Sequence, residues 1–85
     1  MFVVAEHAIS NPQAFWSAAE KVLPELPGET KILLILPDAG GTRAVCLWEA
    51  ESVDAVRKIM EPTGGDLSRN EYFAVDERKS FGLVD

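Results

Sequence analysis

The sequence predicts an α+β domain in which two helices cover one face of a four-stranded antiparallel sheet. Three observations predict it. Ile32-Leu33-Leu34-Ile35-Leu36 and Ala44-Val45-Cys46-Leu47-Trp48 are continuous apolar runs, not apolar/polar alternations, and such runs read as strands buried on both sides. Only two segments carry helical periodicity, too few to cover both faces of a sheet. The elements also come in the order strand, helix, strand, strand, helix, strand. One sheet face therefore lacks a cover from its own chain, and a second copy of the protein is the expected remedy.

Phe2 to Ala8, with β-branched and aromatic residues at its start, predicts the first strand. Ser10-Asn11-Pro12 is a helix start, a capping side chain followed by proline at the first helical position. Phe15, Ala18, Ala19, Val22 and Leu23 then recur at helical spacing, and Pro24 and Pro27-Gly28 end the helix. Lys31 to Leu36 is the second strand. Pro37-Asp38-Ala39-Gly40-Gly41 is a turn, and Thr42 to Ala50 is the third strand, closing an antiparallel hairpin. Ser52 caps a second helix carrying Val53, Val56, Ile59 and Met60, which should weaken at Pro62 and end at Gly64-Gly65. Glu71 to Asp76 is the fourth strand. Phe81, Leu83 and Val84 form an apolar tail expected to dock on something.

This order is the split βαβ pattern of ferredoxin-like folds, with sheet order 4-1-3-2. Right-handed crossovers place both helices on one face. Strands 1 and 3 are expected as parallel central neighbours, with their C-terminal ends at one edge of the sheet and both helix starts nearby.

The 85 residues make one domain, 1–85, that buries roughly 65% of the unfolded chain's surface. At 47% hydrophobic and 26% charged the balance is that of a globular protein. A lone cysteine, Cys46, fits a reducing compartment and excludes an internal disulfide. The N-terminus has neither the basic region nor the long apolar stretch of a signal peptide, and no run reaches membrane-spanning length. A soluble, cytoplasmic protein with no membrane partner is expected. The net charge of −6, with no basic stripe, argues against binding nucleic acid.

Several short stretches carry a resemblance. They are Glu6-His7, Ser10-Asn11-Pro12 with Phe15-Trp16, the Cys46-Leu47-Trp48-Glu49-Ala50 strand ending, and Ser68-Arg69-Asn70-Glu71-Tyr72-Phe73. Together they resemble small uncharacterised bacterial members of the dimeric α/β-barrel superfamily, in which two ferredoxin-like subunits pack sheet to sheet. The resemblance covers the whole chain and implies fold and homodimerisation. The superfamily also contains cofactor-independent monooxygenases, haem-degrading enzymes, muconolactone isomerase-like proteins and a small nickel-binding group. None of the motifs is diagnostic of one activity.

With strands 1 and 3 taken as parallel, His7, Trp48, Glu49, Asn70, Glu71 and Tyr72 would gather at one edge. His7 is the only histidine and the natural candidate for a proton acceptor or metal ligand, with Glu49 or Glu6 as its partner. Its structural alternative is a strand-end histidine bonded to backbone or water. Asn70 and Tyr72 are candidates to orient a polar ligand, or a turn residue and a packing residue. Trp48 and Trp16 are candidates to line an apolar pocket between helices and sheet, or plain core. Glu49 is a site carboxylate or a solvated strand end. Cys46 reads as an inert buried thiol, and both Gly-Gly pairs as turns. Three functions follow: a homodimer binding a small apolar or aromatic ligand, a cofactor-independent monooxygenase or isomerase using His7, or a divalent-metal protein of the nickel type using His7. The sequence specifies no cofactor.

Overall fold

Each predicted strand and helix forms, in the predicted order, in the computed structural model, which describes residues 1–83. The elements are β1 (Phe2–Ile9), α1 (Pro12–Val22), β2 (Lys31–Pro37), β3 (Arg43–Glu49), α2 (Val53–Gly64) and β4 (Ser68–Ala74). The four strands form one sheet ordered β2-β3-β1-β4, the 4-1-3-2 arrangement of a ferredoxin-like fold read from the other edge.

One expectation is corrected. β1 and β3 are antiparallel, with Phe2 opposite Glu49 and Ala8 opposite Arg43. The α1 crossover makes β1 and β2 parallel, and β3, as the hairpin partner of β2, is inserted between them running the other way. The C-terminal ends of β1 and β3 therefore lie at opposite edges of the sheet. So do the two helix starts.

Both helices start as the sequence predicts. The Asn11 side chain accepts from the Ala14 amide at 3.1 Å ahead of Pro12, and Ser52 Oγ accepts from the Ala55 amide at 3.0 Å. α2 runs through Pro62 and ends at Gly64, where the Gly64-Gly65 pair predicts its end. The missing proline N–H costs the Lys58 carbonyl its helical donor, and one residue on the Thr63 hydroxyl donates to the Ile59 carbonyl at 2.7 Å. Gly65, at φ 51°, then turns the chain so sharply that β4 begins at Ser68 rather than Glu71. That earlier start puts Asn70 inside the sheet.

Alternation along the central strands sorts their side chains. Val3, Ala5, His7 and Ile9 of β1 and Ala44, Cys46 and Trp48 of β3 are buried, with Phe15, Val56 and Met60 from the helices completing the core. Ile32 and Ile35 of β2 pack on the same core, and a bulge at Leu33 shifts the register between them. The opposite face carries Leu34 (50% exposed), Leu36 (56%), Val45 (40%) and Phe73 (49%). The double-sided apolar runs thus have one side filled and the other bare. Phe81 of the tail is 99% exposed and docks on nothing among the described residues, Leu83 is half-buried, and Val84 lies outside the described residues. Among the described residues no helix is long and apolar enough to cross a membrane.

Phe15 is the helix side chain most fully enclosed between α1 and the sheet, at 1% exposure. Phe15→Ala should lower unfolding free energy by about 3–5 kcal/mol, read from the urea midpoint at an unchanged denaturant slope.

Candidate functional site

His7 faces the helices from the middle of the sheet, with Ala44 of β3 on one side and Asn70 of β4 on the other. Its side chain is 3% exposed, and its ring lies 5.5 Å from that of Phe15. Burial therefore decides its chemistry.

A chain of hydrogen bonds leads from this imidazole to the protein surface. Asn70 Oδ1 lies 2.6 Å from His7 Nδ1 and accepts from Ser68 Oγ at 2.9 Å. Asn70 Nδ2 donates to Glu61 Oε2 at 2.7 Å, and the Tyr72 hydroxyl donates to the same oxygen at 2.5 Å. Only the NH2 end of an amide can face a carboxylate, so the Asn70 oxygen must face His7. The network thus assigns the tautomer: Nδ1 carries the proton and Nε2 holds a bare lone pair. Burial pushes the His7 pKa below its ordinary value, against smaller upward pulls from the Asn70 bond and the Glu61 charge. The ring is neutral at pH 7.

Glu61, on the last turn of α2, is held below the usual carboxylate range by the Tyr72 hydrogen bond first and the Asn70 bond second. Burial, reinforced by Glu61, pushes the Tyr72 phenol well above its ordinary value. The Arg57 guanidinium sits 5.2 Å from the Tyr72 ring centroid.

On its other side, His7 borders a cavity of about 20 Å³ between helices and sheet, shared with Phe15, Trp16, Cys46, Trp48 and Met60. That is room for one water-sized group. His7 Nε2 and Trp48 Nε1 are buried, and neither has a hydrogen-bond partner among the described residues. One accepts and the other donates. Trp16, by contrast, spends its N–H on the Gly41 carbonyl at 3.1 Å, tying α1 to the β2–β3 turn. Gly41, at φ 71°, has no room for a side chain against that indole. Burial raises the Cys46 thiol to about 11, so no thiolate is present at neutral pH.

The antiparallel pairing redistributes the expected cluster. His7, Asn70 and Tyr72 do come together. Trp48 sits at the other end of β3, opposite Val3, and reaches the site only through the cavity its ring shares with His7. Glu49 is exposed, opposite Phe2 on the bare face, and takes no part; Glu6 also points to that face. Glu71 likewise alternates away from Asn70 and Tyr72. The carboxylate behind His7 is Glu61, which sequence reasoning missed. Its signal was the short Gly64-Gly65 connection, which forces the end of α2 against the start of β4. Among the described residues no three His, Cys, Asp or Glu side chains gather to hold a metal.

With this geometry established, comparison adds no assignment. No protein-family model matches the chain, and no curated protein matches it in sequence.

At Gly64 the α2 backbone lies against Ser68 and Asn70. A Cβ there would run into Ser68 Oγ and approach Asn70 Nδ2 to 3.5 Å. Gly64→Ala should displace Ser68, loosen Asn70 and broaden or shift the His7 ring signals in NMR. Nitrogen-15 NMR of the unaltered protein should show the Nδ1–H tautomer and a His7 midpoint below 6.5. The sign for stability follows from that depressed value. Above pH 6.5 both folded and unfolded chains hold neutral His7; below it the unfolded chain takes up a proton that the folded one resists. Stability should therefore fall as pH drops from 6.5 towards the folded pKa, and His7→Gln should flatten that part of the profile.

Proposed function

We propose that the protein is a homodimer that binds a small, largely apolar or aromatic ligand carrying one hydroxyl. The observation that supports this most is that His7 and Trp48 line the same internal cavity and each keeps a buried ring nitrogen without a partner among the described residues, His7 Nε2 an acceptor and Trp48 Nε1 a donor. Buried polar atoms left unbonded cost free energy, and a hydroxyl both donates and accepts. In this reading the hydroxyl bridges the two ring nitrogens while the rest of the ligand lies beneath α1, along Ala19, Val22, Leu23 and Ile32. Because the cavity is only water-sized, binding requires α1 to lift from the sheet.

The homodimer rests on the bare sheet face, where Leu34, Leu36, Val45 and Phe73 are each at least 40% exposed. The resemblance to the dimeric α/β-barrel superfamily supports the same assembly.

A second reading uses the same nitrogen. A neutral imidazole with a fixed tautomer and a free lone pair is equipped to accept a proton, as a monooxygenase- or isomerase-like enzyme would need. Tyr72 is then a poor oxyanion donor, because its single proton goes to Glu61, and the Asn70 amide points its NH2 end at the same carboxylate. The buried donor left unspent among the described residues is the Trp48 N–H, on a residue that lines the same cavity.

p-Cresol and toluene distinguish a hydroxyl-reading site from a merely greasy one. Titrated into the protein, p-cresol should shift the His7 ring nitrogens and the Trp48 indole N–H and bind at least ~10-fold more tightly than toluene, the discrimination of one buried hydrogen bond. His7→Phe should abolish that preference. Equal binding of the two, or no response at His7, would sink the ligand reading.

A further inference from the structure

We infer that the second copy docks on the bare sheet face about a two-fold axis running along the strands, so that Arg43 of each copy reaches Glu6 of the other. This inference rests on the homodimer reading above and adds the register and the charge pairing that define it.

The cross-strand register divides the bare face into bands. One is wholly apolar: Leu34, Leu47, Val4 and Phe73 lie side by side across all four strands. The next carries Leu36, Val45, Glu6 and Glu71, and the one beyond it Arg43, Ala8 and Arg69. Glu6 and Glu71 are direct cross-strand neighbours, an arrangement that is unfavourable in an isolated sheet. Among the described residues no ion pair within the chain involves either acid or either arginine. A cover that brought only apolar surface would strand these carboxylates away from water. The occupant must therefore supply apolar side chains and, one band further along, positive charge. A second copy of this chain supplies both from the same face.

Symmetry then selects the register. An axis across the strands, between the acidic and basic bands, would set Glu over Arg but push each apolar band past the end of the partner sheet. An axis along the strands at the β1/β3 seam stacks the apolar bands on each other. It also sets Arg43 of the partner subunit opposite Ala8, whose small side chain leaves room. Glu6 lies two residues along the strand from there, about 7 Å, within the span of an arginine side chain. The face is concave at this place, a depression of about 690 Å³ whose lining includes Glu6, Ala8, Arg43, Val45 and Glu71. By the two-fold relation the contact is made twice.

The test is to reverse one charge per chain and then mix the chains. Glu6→Arg alone sets arginine against arginine at both contacts, and Arg43→Glu alone sets carboxylate against carboxylate. Each homodimer should weaken at least ~10-fold in sedimentation velocity. Mixed in equal amounts, the two variants should form a heterodimer close to wild-type affinity, identified by its mass in native mass spectrometry. Contacts within one chain cannot produce that rescue, since each chain carries only one reversal. Both positions are exposed, and near-UV circular dichroism distinguishes a folded monomer from an unfolded chain. Should either variant unfold, Glu6→Lys or Arg43→Asp places the same charge. Variant homodimers of undiminished affinity that mix statistically would overturn the register and leave the dimer standing. A wild-type chain that stays monomeric at NMR concentrations would overturn the dimer, and the register with it. A wild-type chain that stays monomeric alone and forms a complex only with a different protein would do the same.

Discussion

Two helices cannot cover two sheet faces, and this shortage organises the molecule. Both crossovers fall on the same side, so α1 and α2 share one layer and everything they cover becomes core. β1 is the hinge of the arrangement, because it pairs with β3 on one side and β4 on the other. Its alternation decides which residues are enclosed. Val3, Ala5, His7 and Ile9 go under the helices, and Val4, Glu6 and Ala8 go to the other face. A polar residue in the enclosed set must find its partners inside, and His7 does so on only one of its two ring nitrogens.

The partners come from the way the second half of the chain closes. α2 returns along the sheet and ends beside the start of β4, with only a glycine-led turn between them. Its last turn therefore stands over Asn70 and Tyr72, and Glu61 collects a proton donor from each. The carboxylate itself is exposed while the imidazole at the other end of the chain is not. Asn70 is the joint between these environments. It passes on orientation without passing on charge: an acid in its place would favour the imidazolium, whereas the amide fixes the Nδ1–H tautomer and leaves burial to keep the ring neutral. The interior face of the site is thus a neutral acceptor in apolar surroundings.

Much of this was legible in the sequence because it depends on local periodicity and on capping chemistry. The caps at Asn11 and Ser52, the Gly40-Gly41 turn and the inertness of Cys46 all follow from nearest neighbours. What failed was a statement about direction. Taking β1 and β3 as parallel gathered Trp48 and Glu49 at the His7 edge, although the hairpin and the split crossover together require the opposite. Glu61 was missed for a related reason. On helical periodicity it belongs to a solvated face, and only the closeness of α2 to β4, imposed by the Gly64 contact, brings it to the site. The start of β4 at Ser68 was hidden too, since Ser68-Arg69-Asn70 has the composition of a turn and becomes strand only because β1 offers it a ladder.

The bulge at Leu33 works against strand-by-strand polymerisation at the β2 edge. β2 is an edge strand with the run Ile32-Leu33-Leu34-Ile35-Leu36, the kind of segment that stacks into cross-β fibrils when its edge is straight and open. The irregularity between Ile32 and Leu34 breaks the even spacing of its outward-pointing amides, and Pro37 removes a donor at its end. An incoming strand finds no regular ladder to extend. The stickiness of this sequence is thereby denied an edge and confined to a face.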